Sequence, residues 1–119
     1  MWSTAVSQPE DLWTLRREVS AILEEHRLDE VADVALLLVT ELASNALRHG
    51  TGPRTAHVVV TGRQVRIEVL DASPVLPRLL GQAPACVGGN GMRLVDALAT
   101  RWGVEVLPAG KAVWFELAA

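Results

Sequence analysis

Near residue 56 the hydrophobic period of the chain changes from 3.6 to 2, and this change restricts the possible folds more than any single residue does. Before it, Leu12, Leu15, Val19, Ile22 and Leu23 form one helical stripe, and Val31, Val34, Leu37, Leu38 and Leu42 form a second. After it, residues 57–61 and 64–70 are rich in β-branched side chains, and Val65, Ile67 and Val69 alternate with Arg66 and Glu68. Helices with one apolar stripe and strands with one apolar face bury both by stacking as layers.

The boundaries follow from local chemistry. Ser7 and Glu10 have capping-box spacing and Pro9 is tolerated in a first turn, so a helix is predicted from about residue 8 to His26. Leu28 and Asp29 then read as staple and N-cap of a second helix that runs to His49 and is broken by Thr51-Gly-Pro-Arg54. Gly62-Arg63 joins the two strands as a hairpin. Residues 72–90 hold Pro74, Pro77, Pro84, Gly81, Gly88 and Gly89 without a period; a loop this long is usually a functional cover or disordered. Helical spacing returns over residues 91–99 through Met92, Val95 and Leu98. Strands over 102–107 and 112–117 then flank the turn Pro108-Ala-Gly-Lys111. The order describes an α+β two-layer sandwich, its sheet mixed but mostly antiparallel, with helices covering one face.

At 119 residues the chain is expected to form one domain, residues 1–119. A net charge of -3 with scattered acidic and basic residues argues against a general nucleic-acid or anionic-membrane binder. The longest apolar run, residues 34–39, is far too short to span a bilayer, and no signal-like segment follows Met1-Trp2-Ser3, so a cytoplasmic location is expected. The single cysteine, Cys86, excludes an internal disulfide and any multi-cysteine metal site.

Three places carry chemistry. Glu41 and Asn45 are four residues apart on the second helix and so share a face, where a carboxylate and a carboxamide could position a hydroxyl or hold a divalent ion through oxygen. The same pair near a helix end is equally an ordinary solvated surface. Gly88-Gly-Asn-Gly91 immediately precedes a predicted helix N-terminus, where free N–H groups and the dipole favour phosphate, although such clusters are often only flexible connections. It is neither a P-loop nor a dinucleotide fingerprint. Asp71, at the end of a strand, could cap a turn or accept a hydrogen bond from an exocyclic amine.

Taken in order, helix-borne Glu41-x-x-x-Asn45-Ala, Asp71 after a strand, and Gly89-x-Gly91-Met92 before a helix resemble the Bergerat-fold GHKL ATPases. Within that superfamily the chain is most similar to stand-alone ATP-binding domains of the anti-sigma-factor serine/threonine kinase type. The likeness rests on Glu41-Leu-Ala-Ser-Asn-Ala-Leu-Arg-His-Gly50, on Gly91-Met-Arg-Leu-Val-Asp-Ala-Leu-Ala99 and on Gly110-Lys-Ala-Val-Trp-Phe-Glu-Leu117, and it covers nearly the whole chain. The resemblance implies that ATP and Mg²⁺ bind, with Glu41 as general base and Asn45 as metal ligand. Asp71 would take the adenine amino group, Gly89, Asn90, Gly91 and Met92 would wrap the phosphates, and residues 72–90 would form the lid. It also implies a partner, a sigma factor or a small antagonist protein phosphorylated on serine, and a homodimer.

The chain departs from the family in three ways. Asp71-Ala-Ser-Pro-Val75 replaces Asp-x-Gly-x-Gly, Ala112 is matched to a threonine of the last strand that assists adenine recognition, and the lid is short and proline-rich. A degenerate domain that acts as an interaction module without nucleotide is therefore the alternative. His49 is expected to serve the helix dipole, and Trp102 and Trp114 to pack within the final hairpin. Arg93 either reaches a phosphate or is simply exposed. No histidine is placed as a phospho-acceptor.

Overall fold

The computed structural model describes residues 2–74 and 89–119. Its elements are β1 (Trp2–Ala5), α1 (Asp11–Glu25), a 3-10 turn (Asp29–Val31), α2 (Ala32–His49), β2 (Thr55–Thr61), β3 (Gln64–Asp71), α3 (Gly89–Leu98), β4 (Arg101–Leu107) and β5 (Gly110–Ala118). The five strands form one sheet in the order β1-β2-β3-β5-β4, and every pairing is antiparallel. The expected α+β sandwich is thus present. The expectation of a mixed sheet is corrected, because each strand is paired only with antiparallel neighbours.

Alternation sorts the sheet into two faces. Val58, Val65, Ile67, Val69, Phe115 and Leu117 point to the helices and pack with Leu15, Val19 and Leu23 of α1, Leu38 and Leu42 of α2, and Met92 and Val95 of α3. Burying one such large side chain contributes roughly 1.5–3 kcal/mol. On the opposite face β3 and β5 set Arg66 against Glu116 and Glu68 against Trp114 as direct cross-strand partners. The Arg66 guanidinium lies 4.0 Å from the centre of the Trp114 ring and bonds Glu68 at 3.1 Å and Glu116 at 3.2 Å. Arg101 bonds the other oxygen of Glu116 at 2.8 Å. Arg66 and Glu68, the polar members of the alternation, are therefore half-buried by their own network. Burial raises the Glu116 carboxyl, but the hydrogen bonds and charges of Arg101 and Arg66 outweigh it and hold Glu116 below the usual carboxylate range. Trp102 sits in the same hairpin as Trp114 and donates through Nε1 to Asp96 at 2.9 Å.

Three local expectations change. The strand β1 was not foreseen, because four residues are too few to establish a period and only pairing from Trp2↔Val58 to Ala5↔Thr55 makes them a strand. Helix α1 starts at Asp11 rather than residue 8: the Asp11 carboxylate accepts from the Ser7 and Gln8 N–H groups at 2.7 and 3.1 Å, so it takes the role given to Ser7 and Glu10. Helix α2 has no side-chain cap at Asp29 and is entered through the 3-10 turn, with Leu28 buried beneath it. At the other end of α1, Leu28 N–H bonds Leu23 O and Arg27 N–H bonds Glu24 O, a Schellman closure that puts Arg27 at φ 57°.

Candidate functional site

The C-terminal half of α2 is held against the sheet by residues that the periodicity does not mark. Its last carbonyls need partners, and Arg54 supplies them: Nε donates to Ala46 O at 2.7 Å and Nη2 to Gly50 O at 3.1 Å. Gly50, which ends the helix, lies so close to Asp71 that a Cβ there would be 2.8 Å from Asp71 Cγ and 2.5 Å from Ala46 O. The Ala72 N–H then bonds Thr51 O at 2.8 Å. The end of α2, carrying Glu41 and Asn45, and the end of β3, carrying Asp71, are thereby locked together.

Glu41 and Asn45 are both half-buried. Glu41 makes no hydrogen bond or ion pair with a described residue, which leaves its carboxylate available as a base. Asn45 Oδ1 accepts from Arg48 Nη2 at 2.7 Å. His49 and Arg48 occupy the last turn of α2, where the charge of Arg48 complements the dipole. Among the described residues no cluster of three or more His, Cys, Asp or Glu could hold a metal ion. A divalent ion at Asn45 would thus draw its remaining ligands from phosphate and water, as suits Mg²⁺, which keeps several waters and takes few protein ligands.

Asp71 is buried, and the chain's single lysine, Lys111, is buried against it. The two face each other across β3 and β5 in register, with Nζ 3.0 Å from Oδ1. Ser73 N–H also donates to Oδ1, at 2.7 Å, and Nζ donates on to Ser73 O at 3.3 Å. Oδ2 takes no hydrogen bond from a described residue. Removing either partner would strand a buried charge, a cost of about 3–5 kcal/mol. In place of the glycines of Asp-x-Gly-x-Gly, Asp71-Ala-Ser73 is a turn held by the Ser73 N–H on Asp71 and by Lys111.

The match of Ala112 to the adenine-side position is corrected here. Ala112 pairs with Leu70 and faces away from the helices, whereas Lys111 pairs with Asp71 on the helix-covered side. A one-residue step along a strand reverses its face, so the residue beside Asp71 is a cation rather than a small apolar group.

The glycine run also shifts. Helix α3 begins at Gly89, so Gly89, Asn90 and Gly91 form its first turn rather than a loop before it; Gly88 and residues 75–88, the greater part of the expected lid, lie outside the described residues. Met92 lies in the core, only 1% exposed, so its side chain is removed from the candidate contacts and only its N–H could meet a phosphate. An apolar residue is required there because α3 must face the sheet. Arg93 is exposed. The first turn of α3 carries N–H groups that have no acceptor within the helix itself, and their partial charge favours an anion. An amine acceptor at Asp71, a phosphate-compatible helix end and the Glu41–Asn45 pair make a donor set that fits a nucleoside triphosphate with one divalent ion.

Residues 5–117 match the family model of the histidine kinase-like ATPase domain, and the chain belongs to that family, a GHKL-type ATP-binding fold. Domains of this kind generally bind ATP, usually with Mg²⁺. Among solved structures, the chain is similar to the histidine kinase domain of the blue-light activated histidine kinase EL346 from Erythrobacter litoralis, at 26% identity with a TM-score of 0.54. That match covers 75% of this chain and 45% of the other, so the chain spans less than half of the structure it resembles. No curated protein matches. Among the described residues, no helix is long and apolar enough to cross a membrane.

Sequence reasoning reached Glu41, Asn45 and Asp71 but not Arg54, Arg48 or Lys111. Arg54 and Lys111 act across 8 and 40 residues, separations at which no local pattern exists. The only available signal for Lys111 was its isolation, as one lysine among eleven basic residues.

Proposed function

We propose that the chain binds Mg²⁺-ATP between α2, the end of β3 and the start of α3, and serves as a regulatory kinase of the anti-sigma-factor type. The observation that carries this reading is the contact between Gly50 and Asp71, which ties the helix bearing Glu41 and Asn45 to the acceptor for the base. Asn45 Oδ1 would hold Mg²⁺, and Asp71 Oδ2 would accept from the adenine amine. N–H groups of Gly89, Asn90, Gly91 and Met92 would receive the phosphates. Bound there, Mg²⁺ would neutralise phosphate charge, the main electrostatic requirement of phosphoryl transfer. Glu41, whose carboxylate is unpaired among the described residues, would take the proton of an attacking serine hydroxyl supplied by a partner. That partner would be a small antagonist protein, with a sigma factor bound in alternation, in transcription regulation in the cytoplasm.

One observation favours a second reading, an interaction module without nucleotide. Asn45 Oδ1 and Asp71 Oδ1 already accept from cations, Arg48 and Lys111. Calorimetric titration with ATP, with and without Mg²⁺ and with GTP as control, separates the two. Saturable, Mg²⁺-dependent and adenine-selective binding that is lost in Asn45→Ala and kept in Glu41→Ala supports the kinase reading. Absence of binding at millimolar ATP leaves the interaction module.

A further inference from the structure

We infer that Lys111 reads the base itself: its ammonium donates to N1 of adenine while Asp71 Oδ2 accepts from the adjacent exocyclic amine. The inference rests on the ATP-binding reading above and adds to it a residue that determines specificity.

Donor counting supports the assignment. An ammonium carries three donors. Among the described residues Lys111 Nζ uses two of them, on Asp71 Oδ1 and on Ser73 O. Asp71 Oδ1 is filled twice, by Lys111 and by the Ser73 N–H, and Oδ2 is not filled by a described residue. One donor of Lys111 and Oδ2 of Asp71 are therefore left over on a bonded pair of buried residues, and because no fully buried side-chain polar atom among the described residues lacks a partner, Oδ2 is open to solvent and so to a ligand. Adenine presents the complementary pair on neighbouring atoms, an amine N–H at position 6 and a lone pair at N1. Guanine in the same orientation sets a carbonyl against Oδ2 and an N–H against the ammonium, so both contacts become repulsive.

Lys111 also constrains its neighbours. The ion pair fixes Asp71 as an acceptor, and the bond to Ser73 O holds the Asp71-Ala-Ser73 turn closed. A purely positioning lysine would do this much and no more. The two roles differ in one measurable respect: a positioning residue supports all adenine analogues alike, whereas a donor to N1 distinguishes analogues by that atom.

The test is calorimetric titration of the protein with Mg²⁺-ATP and with Mg²⁺-1-deaza-ATP, in which N1 is replaced by C–H. Loss of a hydrogen bond from a charged donor is expected to weaken 1-deaza-ATP by at least about tenfold in the wild type. In Lys111→Met the two nucleotides should bind within about twofold of each other, because the donor is gone. Binding of both by the wild type within twofold overturns the inference while leaving the ATP site in place. A tenfold gap that persists in Lys111→Met overturns it too, since another donor would then meet N1. The wild-type comparison needs no variant, so a Lys111→Met chain that fails to fold does not remove the test. Absence of any ATP binding overturns the ATP-binding reading and this inference with it.

Discussion

Adding one methyl group at Gly110 should damage this protein more than adding the same group at Gly62, and the structure says by how much. Gly110 has φ +142° and a Cβ there would sit 2.0 Å from Asp71 O and 2.7 Å from Ala72 Cα. Gly62 has φ +60° and nothing within 4 Å. Both alanine substitutions carry a backbone cost, about 1–2 kcal/mol for the left-handed conformation at Gly62 and about 1–3 kcal/mol for the glycine-only region at Gly110. Only Gly110→Ala adds overpacking against backbone that cannot rotate away, about 1–3 kcal/mol more. Taken at the centres of these ranges, the variants differ by about 2–3 kcal/mol. At roughly 3–5 °C per kcal/mol for a domain of this size, Gly110→Ala should melt about 6–15 °C below Gly62→Ala. Thermal unfolding followed by far-UV circular dichroism measures it. Because the clash falls on the Asp71 segment, ATP binding should fall in Gly110→Ala and stay unchanged in Gly62→Ala. Melting temperatures of the two variants within about 3 °C of each other would refute the reasoning, since the turn would then tolerate a side chain against Asp71.

Two further substitutions test the frame. Arg27→Gly relieves a left-handed non-glycine residue at the end of α1 and should stabilise the protein by about 0.5–1 kcal/mol, read as a higher urea midpoint; a lower midpoint would contradict the Schellman assignment. Glu116 titrates below its ordinary 4.5 when folded, so its contribution is fully present above that value and is lost as pH falls through the lower folded-state value. Urea midpoints taken from about pH 6 down to about pH 3 should therefore drop less steeply in Glu116→Gln than in the wild type, and equal slopes would remove Glu116 as a source of acid sensitivity.

How much of this was legible in the sequence depended on how local each determinant is. The alternation of Val65, Ile67 and Val69 marks the buried face of β3 directly, because period 2 is a property of neighbouring residues. The two stripes of α1 and α2 were equally visible, and so were Glu41 and Asn45, whose relation is set by helix geometry alone. Trp2–Ala5 carries no such signal and becomes a strand only through β2. The face of Lys111 turned on the phase of β5, which the β4–β5 turn sets by pairing Leu107 with Gly110. A match by residue type pointed to Ala112, and the register moved the position by one. Arg54, the cap of α2, lies in a segment read only as a helix breaker, and its role exists only because Ala46 O and Gly50 O are brought within its reach.

The placement of β5 has a consequence for how the protein is made. It follows every other described element in chain order, yet it lies between β3 and β4 in the sheet. While the chain is synthesised from its N-terminal end, the whole length of β3 must wait with an open edge, as its partner Glu116 lies 50 residues beyond Arg66. Arg66 and Glu68 then act as charged gatekeepers on a strand that would otherwise invite pairing with another chain. Lys111 also arrives on that strand, so the buried Asp71–Lys111 pair cannot exist in a half-made protein. Closing the sheet and assembling the candidate site are one event, and a nascent chain stalled before β5 has neither.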